Sequence, residues 1–200
     1  MGVMYDWLVM KEKLREILSS RQRISFKDKE LIKAAVLVPI FCRDGEYHLL
    51  FTKRSDRVPS HKGQVSFPGG AHSEADSSLL ETALRESWEE VGLKAEDVEI
   101  LGELDDTPTT TSGFNISPFI ALIPYPYDFR LSHDEIDEIF EVPISALSHR
   151  DDWKLESYVF DNQVFINYTY EYEGRVIWGA TARIVQLFLE IWELASGAQC

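Results

Sequence analysis

Residues 70–93 read GAHSEADSSLLETALRESWEEVGL, and the spacing of charged and apolar groups within them decides how the chain around them folds. Ser77 or Ser78 can cap a helix, Glu81 falls in its first turn and Gly92 can end it, so the pattern predicts a helix over residues 77–91. At about 100° per residue, Glu90 lies roughly 40° from Glu86 and Glu89 about 60° to the other side, which puts three carboxylates on one arc. Leu80, Leu84, Trp88 and Val91 occupy the opposite arc, predicting a helix that buries one side in a core and turns the other to a cleft. Glutamates held that close repel one another unless a cation or an arginine compensates. Hard oxygen ligands of this kind suit Mg²⁺ or Mn²⁺, which in turn bridge phosphate oxygens. An ExxEE pattern alone is most often a solvated acidic face, so the neighbouring sequence has to decide.

Upstream, periodicity disappears between residues 54 and 78, where Pro59, Gly63, Pro68, Gly69 and Gly70 accumulate, as in an ordered loop. Gly69 and Gly70 suit a backbone that approaches a metal or phosphate too closely to carry side chains. Before that loop, apolar β-rich residues 33–41, a turn at Arg43-Asp44-Gly45 and residues 47–53 form an expected hairpin. Beyond the helix, strands are expected over 98–104 and 114–123, joined by a Thr-rich loop. Further β-rich stretches follow at 153–160 and 164–172, after a short segment ending in Val142-Pro143, and an amphipathic helix closes the chain over 180–194. At the other end, Trp7, Leu8, Leu14, Ile17 and Leu18 recur at helical spacing. The organisation is a helical arm over residues 1–30 and one α/β domain over 31–196. The arm either covers a sheet edge or dimerises the protein.

Composition permits this reading and excludes others. The 200 residues are 44% hydrophobic and 27% charged, with five tryptophans, the profile of one globular core. A net charge of -14 argues against nucleic-acid binding, which draws on clustered Lys and Arg. A small phosphorylated ligand remains compatible if a divalent cation neutralises both it and the carboxylates. Cys42 and Cys200 form no disulfide framework or metal clip, which fits a reducing, cytoplasmic setting. No stretch is long enough to span a bilayer, and Asp6 and Lys11 break any signal-peptide run.

Residues 70–93 resemble the Nudix box: a glycine, a distal acid, then REUxEExGU with U aliphatic. Arg85 to Leu93 carries the match, with Ser87 in place of the first U, Asp76 at the first acid and one extra residue before Arg85. The resemblance implies a Nudix-type α/β/α sandwich with a mixed β-sheet and a catalytic loop-helix-loop. It also implies metal ligation by Glu86, Glu89, Glu90 and the carbonyl of Gly70, with Arg85 bracing a glutamate. Residues 49–55 and 61–70 resemble the signature of the coenzyme A pyrophosphatase branch of that family, although the branch places an arginine where this chain has Pro59. Further similarity lies in Thr111-Ser112-Gly113-Phe114, in residues 135–143 and in Ile177-Trp178-Gly179, so the likeness covers roughly residues 33 to 190.

That branch implies hydrolysis of the diphosphate of CoA or acyl-CoA to 4'-phosphopantetheine and adenosine 3',5'-bisphosphate, with Mg²⁺ or Mn²⁺ as cofactor. Lys53, Arg54, Arg57, His61, Lys62 and Gln64 form the expected substrate-binding set, the densest basic cluster in the chain. Arg57 or Lys62 is expected to stand in at the contact left open by Pro59. Candidates for the proton acceptor are Glu86, Glu89 and, from outside the box, Glu135. Two alternatives stay open: a Nudix hydrolase of ADP-ribose or another nucleoside diphosphate derivative, and a non-catalytic nucleotide-sensing module.

Overall fold

The computed structural model describes residues 2–58, 60–109, 112–160 and 163–197, without the side chains of residues 2–7, 158–160 and 163–165. Pro59, Thr111, Cys200 and the Trp7 side chain, all named above, lie outside the described residues. In chain order the elements are α1 (Gly2–Ser20), β1 (Ile32–Arg43), β2 (Glu46–Arg54), β3 (Val65–Ser66), β4 (Gly69–Ala71), α2 (Leu79–Val91), β5 (Glu99–Glu103), β6 (Thr107–Pro108), β7 (Phe114–Leu122) and β8 (Ile136–Pro143). They continue with α3 (Ile144–Leu147), β9 (Lys154–Phe160), β10 (Gln163–Tyr172), β11 (Arg175–Trp178) and α4 (Gly179–Ser196).

The expected hairpin is β1–β2, closed at Asp44-Gly45, where both residues take positive φ (52° and 87°) as a tight two-residue turn requires. β1 also runs parallel to β7, with Val38 beside Ile120, so the eight-stranded sheet is mixed. Its path is β3-β2-β1-β7-β5, with β4 on β1, β6 on β7 and β8 on β2. Side chains alternate between the faces of a strand. Accordingly Ala35, Leu37, Phe41, Leu50 and Phe119 pack with Ala83 and Val91 of α2. Val38, Ile40, Leu49, Phe51 and Ile120 pack on the other face with α1 and α4. The result is the expected α/β/α sandwich.

A second, three-stranded sheet, β11-β10-β9, joins the α4 side of the core through Tyr170 and Ile177. Of these strands β11 escaped the sequence reading, because four residues after a two-residue turn are too few to display a period. The N-terminal helix is built into the same layer. Leu14 and Leu18 are buried in the core, and a Cβ on Gly102 of β5 would sit 2.7 Å from Leu18 Cβ. Lys11 and Arg15 both pair with Glu99, while Leu8 and Val9 stay exposed. The polar stretch that follows is tied down as well. Arg23 and the Phe26 N–H donate to buried Asp106, which also accepts from Ser117 and Asn115.

Candidate active site

α2 starts two residues later than the sequence suggests. Ser78 is its N-cap, accepting the Glu81 N–H at 3.1 Å, and Glu81 reaches back to the Ser77 N–H at 2.6 Å. The extra residue before Arg85 is therefore absorbed ahead of the helix, and Asp76 still meets Arg85. Arg85 Nε and Nη2 donate to its two oxygens at 2.8 and 3.0 Å, a bidentate pair. Thr82 Oγ1 and the Ser73 N–H donate to the same carboxylate, and His72 Nδ1 lies 2.9 Å from Thr82 Oγ1. Bonds from Arg85 first hold the Asp76 carboxyl well below the usual carboxylate range.

The buried arc of α2 differs from the predicted one. It comprises Thr82, Ala83, Ser87, Glu90 and Val91, whereas Trp88 is 50% exposed and Leu80 and Leu84 are only partly covered. Ser87 fits in place of an aliphatic residue because its Oγ donates to the Ala83 carbonyl one turn back at 2.7 Å. Glu90 is drawn in by β4: its carboxylate accepts the Gly69 N–H at 3.1 Å.

The three glutamates of α2 lie in three different environments. Glu90 is 1% exposed and has Arg54 Nη1 at 3.5 Å, yet burial outweighs both partners and pushes its pKa up to about 8. Glu86 accepts from Arg85 Nη1 at 2.6 Å, but burial again leads and its pKa is raised. Glu89 accepts from the same nitrogen at 2.9 Å and is exposed. Facing them is the glycine strand. A Cβ on Gly70 would fall 2.5 Å from the Glu86 carboxyl carbon, and one on Gly69 (φ +152°) 2.3 Å from the Ala35 carbonyl oxygen. Gly69 is thus required by the backbone, while a side chain on Gly70 would displace the Glu86 carboxylate.

The segment preceding β8 closes this region. The Ser132 N–H donates to the Glu90 carbonyl at 2.9 Å, and the Ser55 N–H donates to the Glu135 carbonyl at 2.8 Å. Glu135 is near enough for its charge to raise Glu86 and Glu90. Its own carboxylate is exposed and has no ion-pair partner among the described residues.

The basic set named from the sequence does not form one cluster: Lys53 and Arg54 lie on β2 and the rest in the loop after it. Arg54 turns toward Glu90, and its buried Nε has no partner. Arg57 is exposed, 3.7 Å from Asp134 and 3.6 Å from Asp137. His61 Nδ1 lies 2.9 Å from Gln64 Oε1. Lys53, Lys62 and Gln64 line a cavity of about 370 Å³ with Val65, Gly174, Arg175, Val176 and Trp178. Arg175 and Trp178 were not among the expected site residues; Trp178 stood only in a family-like segment, with no spacing signal to give it a role.

Among the described residues no three His, Cys, Asp or Glu side chains meet at a point that would hold a metal ion. The reason is local: Arg85 holds Glu86 and Glu89, while the Gly69 N–H and Arg54 hold Glu90. The donor chemistry nevertheless fits a hard divalent ion. A side-chain-free carbonyl strand lies against hard carboxylate oxygens, one of them buried without adequate positive charge.

A glycine strand set against an ExxEE helix on a mixed sheet is the loop-helix-loop arrangement expected from residues 70–93. Comparison with known proteins supplies the family. The NUDIX domain pattern matches residues 31–164, and the chain belongs to that family. It is 41% identical over 162 residues to a protein of Yersinia enterocolitica described as an uncharacterized Nudix hydrolase, NudL, covering 76% of this chain and 77% of that protein. Against a NudL of Yersinia pestis it is 38% identical over 157 residues, covering 77% and 76%. A MutT/nudix family protein from Enterococcus faecalis shares the fold, with a TM-score of 0.51 and 14% identity over 90% of this chain and 68% of that one. The protein is accordingly a Nudix hydrolase, a class that generally uses divalent metal ions. No helix among the described residues is long and apolar enough to cross a membrane.

Proposed function

We propose that the protein hydrolyses the diphosphate of coenzyme A or acyl-CoA, releasing 4'-phosphopantetheine and adenosine 3',5'-bisphosphate. The observation that carries the diphosphate chemistry is the approach of β4 to α2, with the Gly69 N–H on Glu90 and Gly70 so close to Glu86 that a Cβ would displace its carboxylate. Glu86, Glu89, Glu90 and the Gly70 carbonyl would hold Mg²⁺ or Mn²⁺, which when bound neutralises the diphosphate oxygens and acidifies a water. Arg85, anchored by Asp76, orients Glu86 and Glu89. Arg54 is released from Glu90 to meet the diphosphate. Glu135 takes the water proton, since it sits beside the glutamates without being held by an arginine.

The CoA assignment rests on the family-like segments at residues 49–55 and 61–70. A second reading, hydrolysis of ADP-ribose or another nucleoside diphosphate derivative, is favoured by Pro59 standing where the CoA-directed branch has arginine. A substrate panel with Mn²⁺ and with Mg²⁺ separates them: CoA turnover is expected to exceed ADP-ribose turnover, and the reverse order would replace the CoA reading with the second. Binding of CoA without hydrolysis under either ion would make the protein a nucleotide sensor. Glu135→Gln is expected to lower kcat by about 10²–10⁴-fold, the usual range for removing a general base, with metal affinity unchanged. Unaltered kcat would return the role to Glu86 or Glu89.

A further inference from the structure

The cavity between the loop after β2 and the start of α4 has no part in the chemistry above. Its volume of about 370 Å³ is in the range of small-molecule sites. It lies on the sheet face opposite α2, yet it adjoins the carboxylates: Lys53 opens into it, and the next residue, Arg54, turns to Glu90. A ligand rounding the end of β2 would reach both.

The lining is of two kinds. Lys53 and Lys62 bring two ammonium groups with no ion-pair partner among the described residues, in a chain of net charge -14. Arg175 is not a third free cation, because Glu138 and Glu173 hold it and its guanidinium lies 4.8 Å from the Phe140 ring centroid. That pairing also offsets the charge of Glu138, the cross-strand neighbour of Lys53. The other kind is an aromatic wall. Trp178 is 46% exposed and forms the N-cap of α4, and Thr181 Oγ1 donates to the Val65 carbonyl at 3.0 Å, fixing the helix start to β3. Two unpaired ammoniums beside a half-exposed indole match a nucleoside whose sugar carries a phosphate monoester and whose planar base can stack. They do not match an acyl chain, which would strip water from both lysines.

We propose that this cavity seats the phosphorylated nucleoside end of the substrate, with the base stacked on Trp178 and the phosphate monoester on the ribose 3'-oxygen, the one that is not part of the diphosphate, held by Lys53 and Lys62. The assignment rests on the diphosphohydrolase reading of the adjoining carboxylates. The test is calorimetric titration of the full chain with adenosine 3',5'-bisphosphate and with adenosine 5'-monophosphate, neither of which carries a diphosphate to cleave. Lys53→Ala and Lys62→Ala are each expected to weaken the bisphosphate by about tenfold and the monophosphate by less than about twofold. Trp178→Ala is expected to weaken both by about tenfold, and Trp178→Phe to recover most of that loss. Wild-type bisphosphate affinity in the lysine variants, or equal loss of both nucleotides, overturns the proposal. CoA hydrolysis by the same samples separates the two readings. Turnover with lysine-independent bisphosphate binding removes this subsite alone, whereas lysine-dependent binding without CoA turnover keeps the subsite and removes the CoA assignment.

Discussion

Glu90 carries a burial that its partners do not offset: an N–H at 3.1 Å and an arginine at 3.5 Å leave its pKa near 8 against an ordinary 4.5. Between those values the folded chain keeps a proton that the unfolded chain has released. Metal-free protein therefore loses stability as pH rises from about 4.5 to about 8. Glu90→Gln removes the titration. The metal-free variant is expected to melt above wild type at pH 8.5, with the gap shrinking toward pH 5, while turnover falls by orders of magnitude. A gap independent of pH would contradict the sign of the shift, and near-normal turnover would refute the metal role. Metal binding competes with the same proton, so affinity should climb until about pH 8. Gly70→Ala probes the opposite wall. Its Cβ would meet the Glu86 carboxyl at 2.5 Å, so Glu86 must swing away, and turnover should drop at least about 100-fold. The melting temperature should hold, since a side chain rather than backbone has to move; wild-type turnover would mean that Glu86 is not needed where it stands.

At the level of elements, α2 and the turn before it act as one device. Asp76 is the first acid of the box, displaced by one residue, and its two oxygens fix the guanidinium that positions Glu86 and Glu89. Asp76→Asn keeps the size but loses the charge-assisted pair, and the expected result is roughly a 10–100-fold loss of metal affinity with the helix retained by circular dichroism. Unchanged affinity would reduce Asp76 to a loop anchor. The helix itself was legible from its cap, its terminal glycine and its carboxylate spacing, and the hairpin from Asp44-Gly45. The buried face was not. Counting Leu80, Leu84 and Trp88 as the core stripe follows hydrophobicity alone. The folded helix instead buries Ser87, whose hydroxyl is satisfied one turn back, and Glu90, pulled in by the glycine strand. Local polarity rules fail most readily where a site needs buried charge.

Across the whole molecule, the two faces of the central sheet divide the labour: α2 and the carboxylates on one, α1, α4 and the small sheet on the other. That division explains why six site residues close together in sequence do not form one cluster. Alternation along β2, and the loop folding back to β3, send Arg54 toward Glu90 and Lys53 toward Trp178, a partner more than 120 residues away that sequence spacing cannot reveal. The same division gives the N-terminal helix a structural part that is separable from turnover. Leu14 is fully buried between α1, β5 and α4, on the face away from Glu90. Leu14→Ala should cost about 2–5 kcal/mol, which for a chain of this size is a drop in melting temperature of roughly 5–15 °C. Because the sheet separates that cavity from the carboxylate helix, kcat measured well below the new melting point should stay within about twofold of wild type. Thermal melting and turnover on one preparation check both halves. A variant that melts like wild type would mean that α1 is not docked on the core, and one that melts lower and also loses kcat would mean that the two faces of the sheet are coupled.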